Sequence, residues 1–203
     1  MNSWVRLLTL LIMATLTACA STPPRNLDDA CAMFDEKDDW YQYAYQSYKK
    51  WGVPVHVQLA IIWQESRFRS DAKAPRDTLL GFIPWGRKSS AYGYAQVKDA
   101  TWDWYIEKTG NWGADRDDFE DVTDFIGWYC DYSHRRLGIS KWDAYHLYLA
   151  YHEGHGGYER KSYKNKAWLL RVARKVEQRA KRYAGQIKAC QDRLDKGWSL
   201  WPF

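Results

Sequence analysis

The feature that most constrains the fold is the helical spacing of apolar side chains, which recurs along most of the chain. Three of these stretches stop at Gly52, Gly110 or Gly138, as expected for the left-handed residue that ends many helices. We find neither an internal repeat nor the alternation of apolar and polar residues that marks strands. The sequence therefore predicts a mainly α protein, with helices over residues 40–51, 54–66, 102–109, 121–137, 140–151 and 166–191.

Helix starts and one long connection complete this prediction. Asp99 is the expected cap of the third helix, and Ser140 with Asp143 resembles a capping box before the fifth. Residues 70–92 are rich in Gly and Pro and predict a long loop, which in a compact domain usually serves a function. A chain of 203 residues with 46% hydrophobic residues is neither a polytopic membrane protein nor disordered, and we expect one domain.

The amino terminus has the pattern of a targeting signal. Arg6 precedes the apolar stretch 7–16, which is too short to span a bilayer. Residues 16–19, Leu-Thr-Ala-Cys, resemble a bacterial lipobox, which implies cleavage before Cys19 and its acylation. Ala20, which is not Asp, implies retention at the periplasmic face of the outer membrane; ordinary secretion with cleavage nearby is the alternative. The expected parts are a signal peptide (1–18), a lipidated tether (19–30) and a globular domain (31–203) ending in a basic amphipathic helix.

Besides the acylated Cys19, three cysteines remain after such cleavage, and three pairings among them are possible. Cys31 and Cys190 flank the globular segment, so joining them would close the longest loop. Cys130 lies among aromatic residues in a predicted helix, which favours a buried thiol. We therefore expect a disulfide between Cys31 and Cys190 in an oxidising envelope.

Composition narrows the class of ligand. A formal net charge of +5 is too small to indicate nucleic acid, so none is expected as a partner. The 13 Trp and 15 Tyr indicate that part of the surface stacks on something flat, such as a sugar ring, although for each ring the core is the simpler position. Residues 158–182 are strongly basic and predict a solvated helix face, or one attracted to anionic lipid or acidic peptides.

Glu65 is the leading candidate for chemistry. It ends an apolar helix, on the same side as Ile61 and Ile62, and faces an unfavourable dipole in the last turn. Both effects favour the neutral acid and predict a raised pKa, which suits a proton donor to a glycosidic oxygen. The alternative is a carboxylate that reaches the rim and pairs with Arg67 or Arg69.

Two further segments join Glu65 in a known pattern. Glu65-Ser66, Gly93-x-x-Gln96 and Ala150-Tyr151-x-x-Gly154 together resemble the three motifs of the soluble lytic transglycosylase family, a lysozyme-like fold related to goose-type lysozyme. The resemblance implies cleavage of the MurNAc–GlcNAc β-1,4 bond of peptidoglycan glycan strands with formation of a 1,6-anhydro ring, without a cofactor. It makes Glu65 the single acid and base.

The same resemblance gives the other motif residues their roles. Ser66 would bond to the glutamate or the substrate, Gln96 would line the sugar cleft, and Tyr151 would lie against Glu65 and hold it. Gly93, Tyr94 and His152 would complete the substrate-binding positions. Tyr94-Ala95 and His152 differ from the usual Leu-Met and Asn, and residues 75–90 form an insertion.

Alternatives from other classes stay open. Glu153 or Glu159 could activate water, which would make the protein a lysozyme-type hydrolase. A peptidoglycan-binding scaffold without turnover would also keep a cleft. The histidines of His152-Glu153-Gly154-His155 lack the i, i+4 spacing of a zinc helix, so no metal is expected. The sequence names no protein partner.

Overall fold

The computed structural model describes residues 22–74, 76–79, 83–87 and 89–198. This part of the chain is mainly helical, which confirms the predicted fold class. The predicted signal peptide and Cys19 lie outside it. The helices are α1 (Ala30–Glu36), α2 (Asp38–Trp51), α3 (Val55–Ser66), α4 (Asp99–Thr109), α5 (Phe119–Leu137), α6 (Ala144–Glu159) and α7 (Ala167–Trp198), with a 3₁₀ turn at Ser162–Asn165 and two strands, β1 (Arg76–Leu79) and β2 (Ile83–Arg87).

The predicted helix ends at residues 51, 66, 109 and 137 were correct, whereas the last two helices continue past the predicted residues 151 and 191 to Glu159 and Trp198. Gly52, Gly110 and Gly138 close α2, α4 and α5 with φ of 74°, 73° and 69°, the conformation that glycine adopts without strain. The expected cap of α4 was wrong, because Asp99 lies within the helix and forms an ion pair with Arg116 instead.

The start of α6 also differs from the prediction. Its cap is Asp143, whose carboxylate accepts from the amide of His146, and Ser140 accepts from the amide of Trp142 ahead of the helix. Each carboxylate or hydroxyl accepts from the nearest free backbone amide, and the spacing of residues in the sequence does not identify that amide.

The predicted long loop contains a short antiparallel hairpin. β1 pairs with β2, with a register irregularity after Arg76. The alternating pattern that predicts strands is missing here, because β2 carries both Pro84 and Gly86. Both strands are edge strands, where a residue without an amide hydrogen is tolerated.

The core is built around α3. Leu59, Ala60, Ile61 and Ile62 have no exposed surface, because α2, α5, α6 and α7 all contact this helix. A helix that is apolar on every side has to be enclosed in this way. Its last turn is therefore held rigidly, and that turn carries Glu65.

Helix α7 and the amino-terminal segment are joined covalently. A disulfide links Cys31 to Cys190, and Cys130 is a buried free thiol. The predicted tether ends earlier than residue 30, because the carbonyl of Leu27 accepts from Tyr183 at 2.5 Å and Asp28 forms an ion pair with Arg179. In the described part of the chain no helix is both long and apolar enough to cross a bilayer.

Candidate active site

Glu65 occupies the last turn of α3, where the chain turns sharply. The next residues after Ser66 are Arg67 and Phe68, with φ of 53° and 58°, a left-handed conformation that is costly for side chains with a Cβ. Phe68 is fully buried and stacks against Trp40, which holds the turn in place. The turn therefore ends the helix directly after the carboxylate and leaves Glu65 at the edge of the core.

The carboxyl group of Glu65 is half-buried and faces a cleft. Burial raises its pKa from 4.5 to about 7, and a hydrogen bond from the Tyr148 hydroxyl partly opposes this rise. A substantial fraction of the group is thus protonated at neutral pH. This agrees with the pKa direction expected from the sequence.

Neither nearby arginine neutralises Glu65, so the alternative of a paired surface carboxylate was wrong. The guanidinium of Arg67 lies over the ring of Trp63, 4.4 Å from its centroid. Arg69 is 3.5 Å from Asp71. Trp63 holds a second cation on α7, Arg179, at 3.5 Å, so the cations near this turn serve to pack α3 against α7.

A cleft of about 530 Å³ brings together residues from all three motifs. Four of the expected site residues line it, namely Glu65, Gln96, Tyr151 and His152. The remaining lining residues are Ala91, Val97, Lys98, Thr101, Phe125, Tyr129, Glu153 and Gly154. A cleft of this size can hold a ligand beside Glu65, whose pKa of about 7 lets it donate a proton.

Gly93 and Gln96 belong to one loop, which brings Gln96 to the cleft wall. Gly93 has φ of 75°, and a Cβ there would lie 1.9 Å from the carbonyl oxygen of Arg116, so only glycine fits. The amide nitrogen of Gln96 donates to the carbonyls of Ala72 and Gly93, at 2.9 and 3.0 Å. Both amide hydrogens are used in this loop, which leaves the Oε1 atom of Gln96 for a ligand.

Two expected binding residues lie elsewhere. Tyr94 is 1% exposed and packs edge-on against Trp40 and Phe119 in the core, so its predicted contact with a sugar was wrong. The hydroxyl of Ser66 donates to the carbonyl of Ile62, at 3.4 Å, and Ser66 does not line the cleft. A backbone acceptor one turn away is the nearest partner for a serine inside a helix.

The third motif ties the cleft walls together. The hydroxyl of Tyr151 donates to the carbonyl of Ala95 at 2.6 Å, which joins α6 to the loop of the second motif. The hydroxyl that binds Glu65 is that of Tyr148, one turn earlier on α6. Burial and then the charge of the nearby Glu65 carboxylate raise the pKa of Tyr151, so Tyr151 lies close to Glu65 as expected, but the hydrogen bond to Glu65 comes from Tyr148. Residues three apart share a helix face, and this spacing is the signal that could have identified Tyr148.

Gly154 breaks α6 beside the cleft. Its φ of 71° and ψ of 159° belong to a region that is essentially restricted to glycine. A Cβ at this position would meet nothing within 4 Å, so the requirement for glycine comes from the backbone and not from space. The break sets the end of the first half of α6, and with it the positions of Tyr151 and His152.

Glu153 lines the cleft but is bound as an anion. Its side chain is 4% exposed, and Lys166 donates to its two oxygens at 2.7 and 3.0 Å. Burial acts to raise the pKa of Glu153, but hydrogen bonds from Lys166, Ser162 and His152 lower it to about 2. Sequence reasoning missed this ion pair because Lys166 lies thirteen residues after Glu153, outside α6 and between the 3₁₀ turn and α7.

The other groups considered from the sequence are occupied. Glu159 forms a two-point ion pair with Arg136, at 2.9 and 3.0 Å, away from the cleft. His155 is buried beside Ser133, and burial lowers its pKa to about 4, so the ring is neutral. Among the residues that the structure describes, no three His, Cys, Asp or Glu side chains are arranged to hold a metal ion.

Comparison with known proteins identifies a protein family. The chain matches the protein family described as "Transglycosylase SLT domain" over residues 7–190, which is most of its length. No curated protein and no solved structure matches it.

Proposed function

Because the chain belongs to the transglycosylase SLT domain family, whose members act on peptidoglycan strands, we propose that it is a lytic transglycosylase with Glu65 as its single acid and base. The observation that carries this proposal is the position of Glu65 at the wall of the cleft, where burial raises the pKa of its carboxyl group to about 7. An acid with a pKa near the working pH both donates and recovers a proton readily.

The first step of the proposed reaction is proton donation. Glu65 protonates the oxygen of the MurNAc–GlcNAc β-1,4 bond, the C1–O bond of MurNAc breaks, and GlcNAc leaves with a new hydroxyl group. The 2-acetamido oxygen of the same MurNAc then bonds to C1 and carries the developing positive charge. Burial prepares Glu65 for this step because the raised pKa keeps a substantial fraction of the carboxyl group protonated at neutral pH.

The second step closes the anhydro ring. Glu65, now a carboxylate, takes the proton of the C6 hydroxyl as that oxygen bonds to C1 and displaces the acetamido oxygen. Glu65 is protonated again, and no water is consumed. The Tyr148 hydroxyl stabilises the carboxylate between the steps by donating a hydrogen bond to it.

The other cleft residues position the substrate in this proposal. Gln96 offers its Oε1 atom to a sugar hydroxyl or amide, while Tyr151 keeps the Gln96 loop at a fixed distance from α6. His152 is exposed and lines the cleft. The state of Glu153 supports a single-carboxylate mechanism, since an anion bound by a lysine has little basicity left to activate water.

The proposal includes a location. The lipobox-like residues 16–19 support acylation of Cys19 and an anchor at the periplasmic face of the outer membrane. Globomycin-sensitive processing and incorporation of labelled palmitate, both lost in Cys19→Ser, test this part separately from the reaction.

The reaction is tested with full-length protein in detergent and purified peptidoglycan sacculi. Wild type should release soluble fragments, and Glu65→Gln should release at least about 1,000-fold less while still sedimenting with the sacculi. Glu159→Gln is the matched control, because it changes a carboxylate outside the cleft to an amide and should retain activity. Equal release by wild type and Glu65→Gln would contradict the proposed role of Glu65. Binding without release by wild type would favour a scaffold.

A further inference from the structure

One exposed tryptophan lies at the rim of the cleft. Among the described residues the large apolar side chains most open to solvent are Trp112, Trp142 and Trp168, at 79%, 64% and 49%. Trp168 alone of the three contacts a residue that lines the cleft, since its ring lies 5.2 Å from that of His152. An open aromatic ring beside a glycan cleft is suited to stacking on a sugar.

Contacts made by the residues before Trp168 hold its ring in position. Lys166, two residues before Trp168, is held by the buried carboxylate of Glu153, and the 3₁₀ turn that precedes α7 contributes Ser162 to the same carboxylate. Glu153 itself lines the cleft. The first turn of α7 is therefore attached to the cleft wall, and Trp168 is ordered before any ligand arrives, which lowers the entropic cost of binding.

Two cations continue the same helix face. Arg171 and Lys175 follow Trp168 at i+3 and i+7, so the three side chains lie along one side of α7. Both are exposed, and neither forms an ion pair with a residue that the structure describes. We call Trp168, Arg171 and Lys175 the α7 strip. Its unpaired positive charge runs away from the cleft along the helix axis.

We infer that the α7 strip is a binding surface for the peptide-bearing part of the glycan strand, outside the cleft that cleaves it. Trp168 stacks on a sugar ring beyond His152, and Arg171 with Lys175 binds carboxylates of the stem peptides. The charge of the strip fits acidic stem peptides, and its continuity with the cleft through Trp168 and His152 favours this occupant over an anionic membrane. The inference rests on the proposed function, because it takes the same polymer as substrate.

Binding is measured in the Glu65→Gln background, so that the sacculi are not consumed, by cosedimentation of the full-length protein. Trp168→Ala should raise the half-saturating concentration roughly five- to ten-fold, as expected for loss of one stacked ring. Trp168→Tyr should restore most of the binding. Trp142→Ala is the matched control, because Trp142 is more exposed but lies beside His56, outside the cleft; it should bind like its parent.

The role of Arg171 and Lys175 is tested by reversing their charges. Arg171→Glu with Lys175→Glu should weaken binding about ten-fold at low salt and much less at about 1 M salt, where exposed charges are screened. The same pair should have no effect on sacculi from which an amidase has removed the stem peptides. Lys188→Glu is the matched control, since Lys188 is exposed on α7 about 30 Å from Trp168 and should not alter binding.

The outcomes separate this inference from the proposed reaction. Unchanged binding by Trp168→Ala and by the double charge reversal would overturn the strip, even where wild type releases anhydro products. Weakened binding to anionic lipid vesicles with unchanged binding to sacculi would also overturn it and identify a membrane surface. Strip-dependent binding by a wild type that releases nothing would support the strip and contradict the reaction.

Discussion

Replacing Glu65 by Gln should stabilise the protein at alkaline pH. The folded state raises the pKa of this carboxyl group from 4.5 to about 7, so it binds the proton more tightly than the unfolded chain does. That contribution to the free energy of unfolding is fully present below about pH 4.5 and is lost as the pH rises to about 7. A Gln side chain is neutral at every pH, so the variant does not lose stability in this way. The free energy of unfolding that wild type loses over this pH range is about 3 kcal/mol, because a pKa shift of one unit corresponds to about 1.4 kcal/mol.

The assay is urea unfolding of wild type and Glu65→Gln, followed by tryptophan fluorescence at closely spaced pH values. The difference between their free energies of unfolding should increase by about 3 kcal/mol from pH 4 to pH 8 and then level off. The melting temperatures should diverge by roughly 6–12 °C over the same interval. Because Tyr148 can donate to Gln as well as to Glu, the variant keeps this contact.

A matched variant fixes the sign of the effect. Glu159→Gln should change in the opposite direction, because its ion pair with Arg136 lowers the pKa of Glu159 and stabilises the folded state as pH rises. A difference curve for Glu65→Gln that is flat between pH 4 and pH 8 would refute the reasoning. Glu65 would then be an ordinary solvated carboxylate.

Three other perturbations have defined outcomes. Tyr148→Phe removes the hydrogen bond that lowers the pKa of Glu65, so the alkaline limb of kcat/KM against pH should move to higher pH; an unmoved limb would contradict this contact. Gly93→Ala should lower the free energy of unfolding by at least about 2 kcal/mol, because the new Cβ meets a backbone oxygen at a left-handed residue; a neutral effect in urea unfolding would contradict the loop geometry. Replacing Cys31 and Cys190 by Ser should lower the free energy of unfolding by about 2–5 kcal/mol, measured in the same way.

The sequence was sufficient for the parts of the fold that depend on local chemistry. Glycine ends three helices because a left-handed residue is required there, and this requirement can be read one position at a time. The predicted fold class and family were also confirmed. The family could be recognised from sequence because its short motifs occur in the expected order along the chain. The hairpin was missed because Pro84 and Gly86 hide the strand pattern.

The sequence predicted which residues belong to the site better than it predicted which atoms those residues contact. Burial of Glu65 followed from its place on an apolar helix, and the direction of its pKa followed from burial. Which tyrosine binds Glu65 depends on the rotation of α6 about its axis, and that is fixed by packing against other helices. Tyr94 and Lys166 were misjudged or missed for the same reason, because their partners come from distant parts of the chain.

The central claim is that Glu65 serves as both acid and base while the substrate supplies the oxygen that closes the ring. The most direct measurement is mass spectrometry of fragments released from sacculi in water enriched in oxygen-18. The account predicts products that are one water lighter than reducing-end fragments and carry no oxygen-18. Fragments with oxygen-18 at a new reducing end would contradict it, because the nucleophile would then be water.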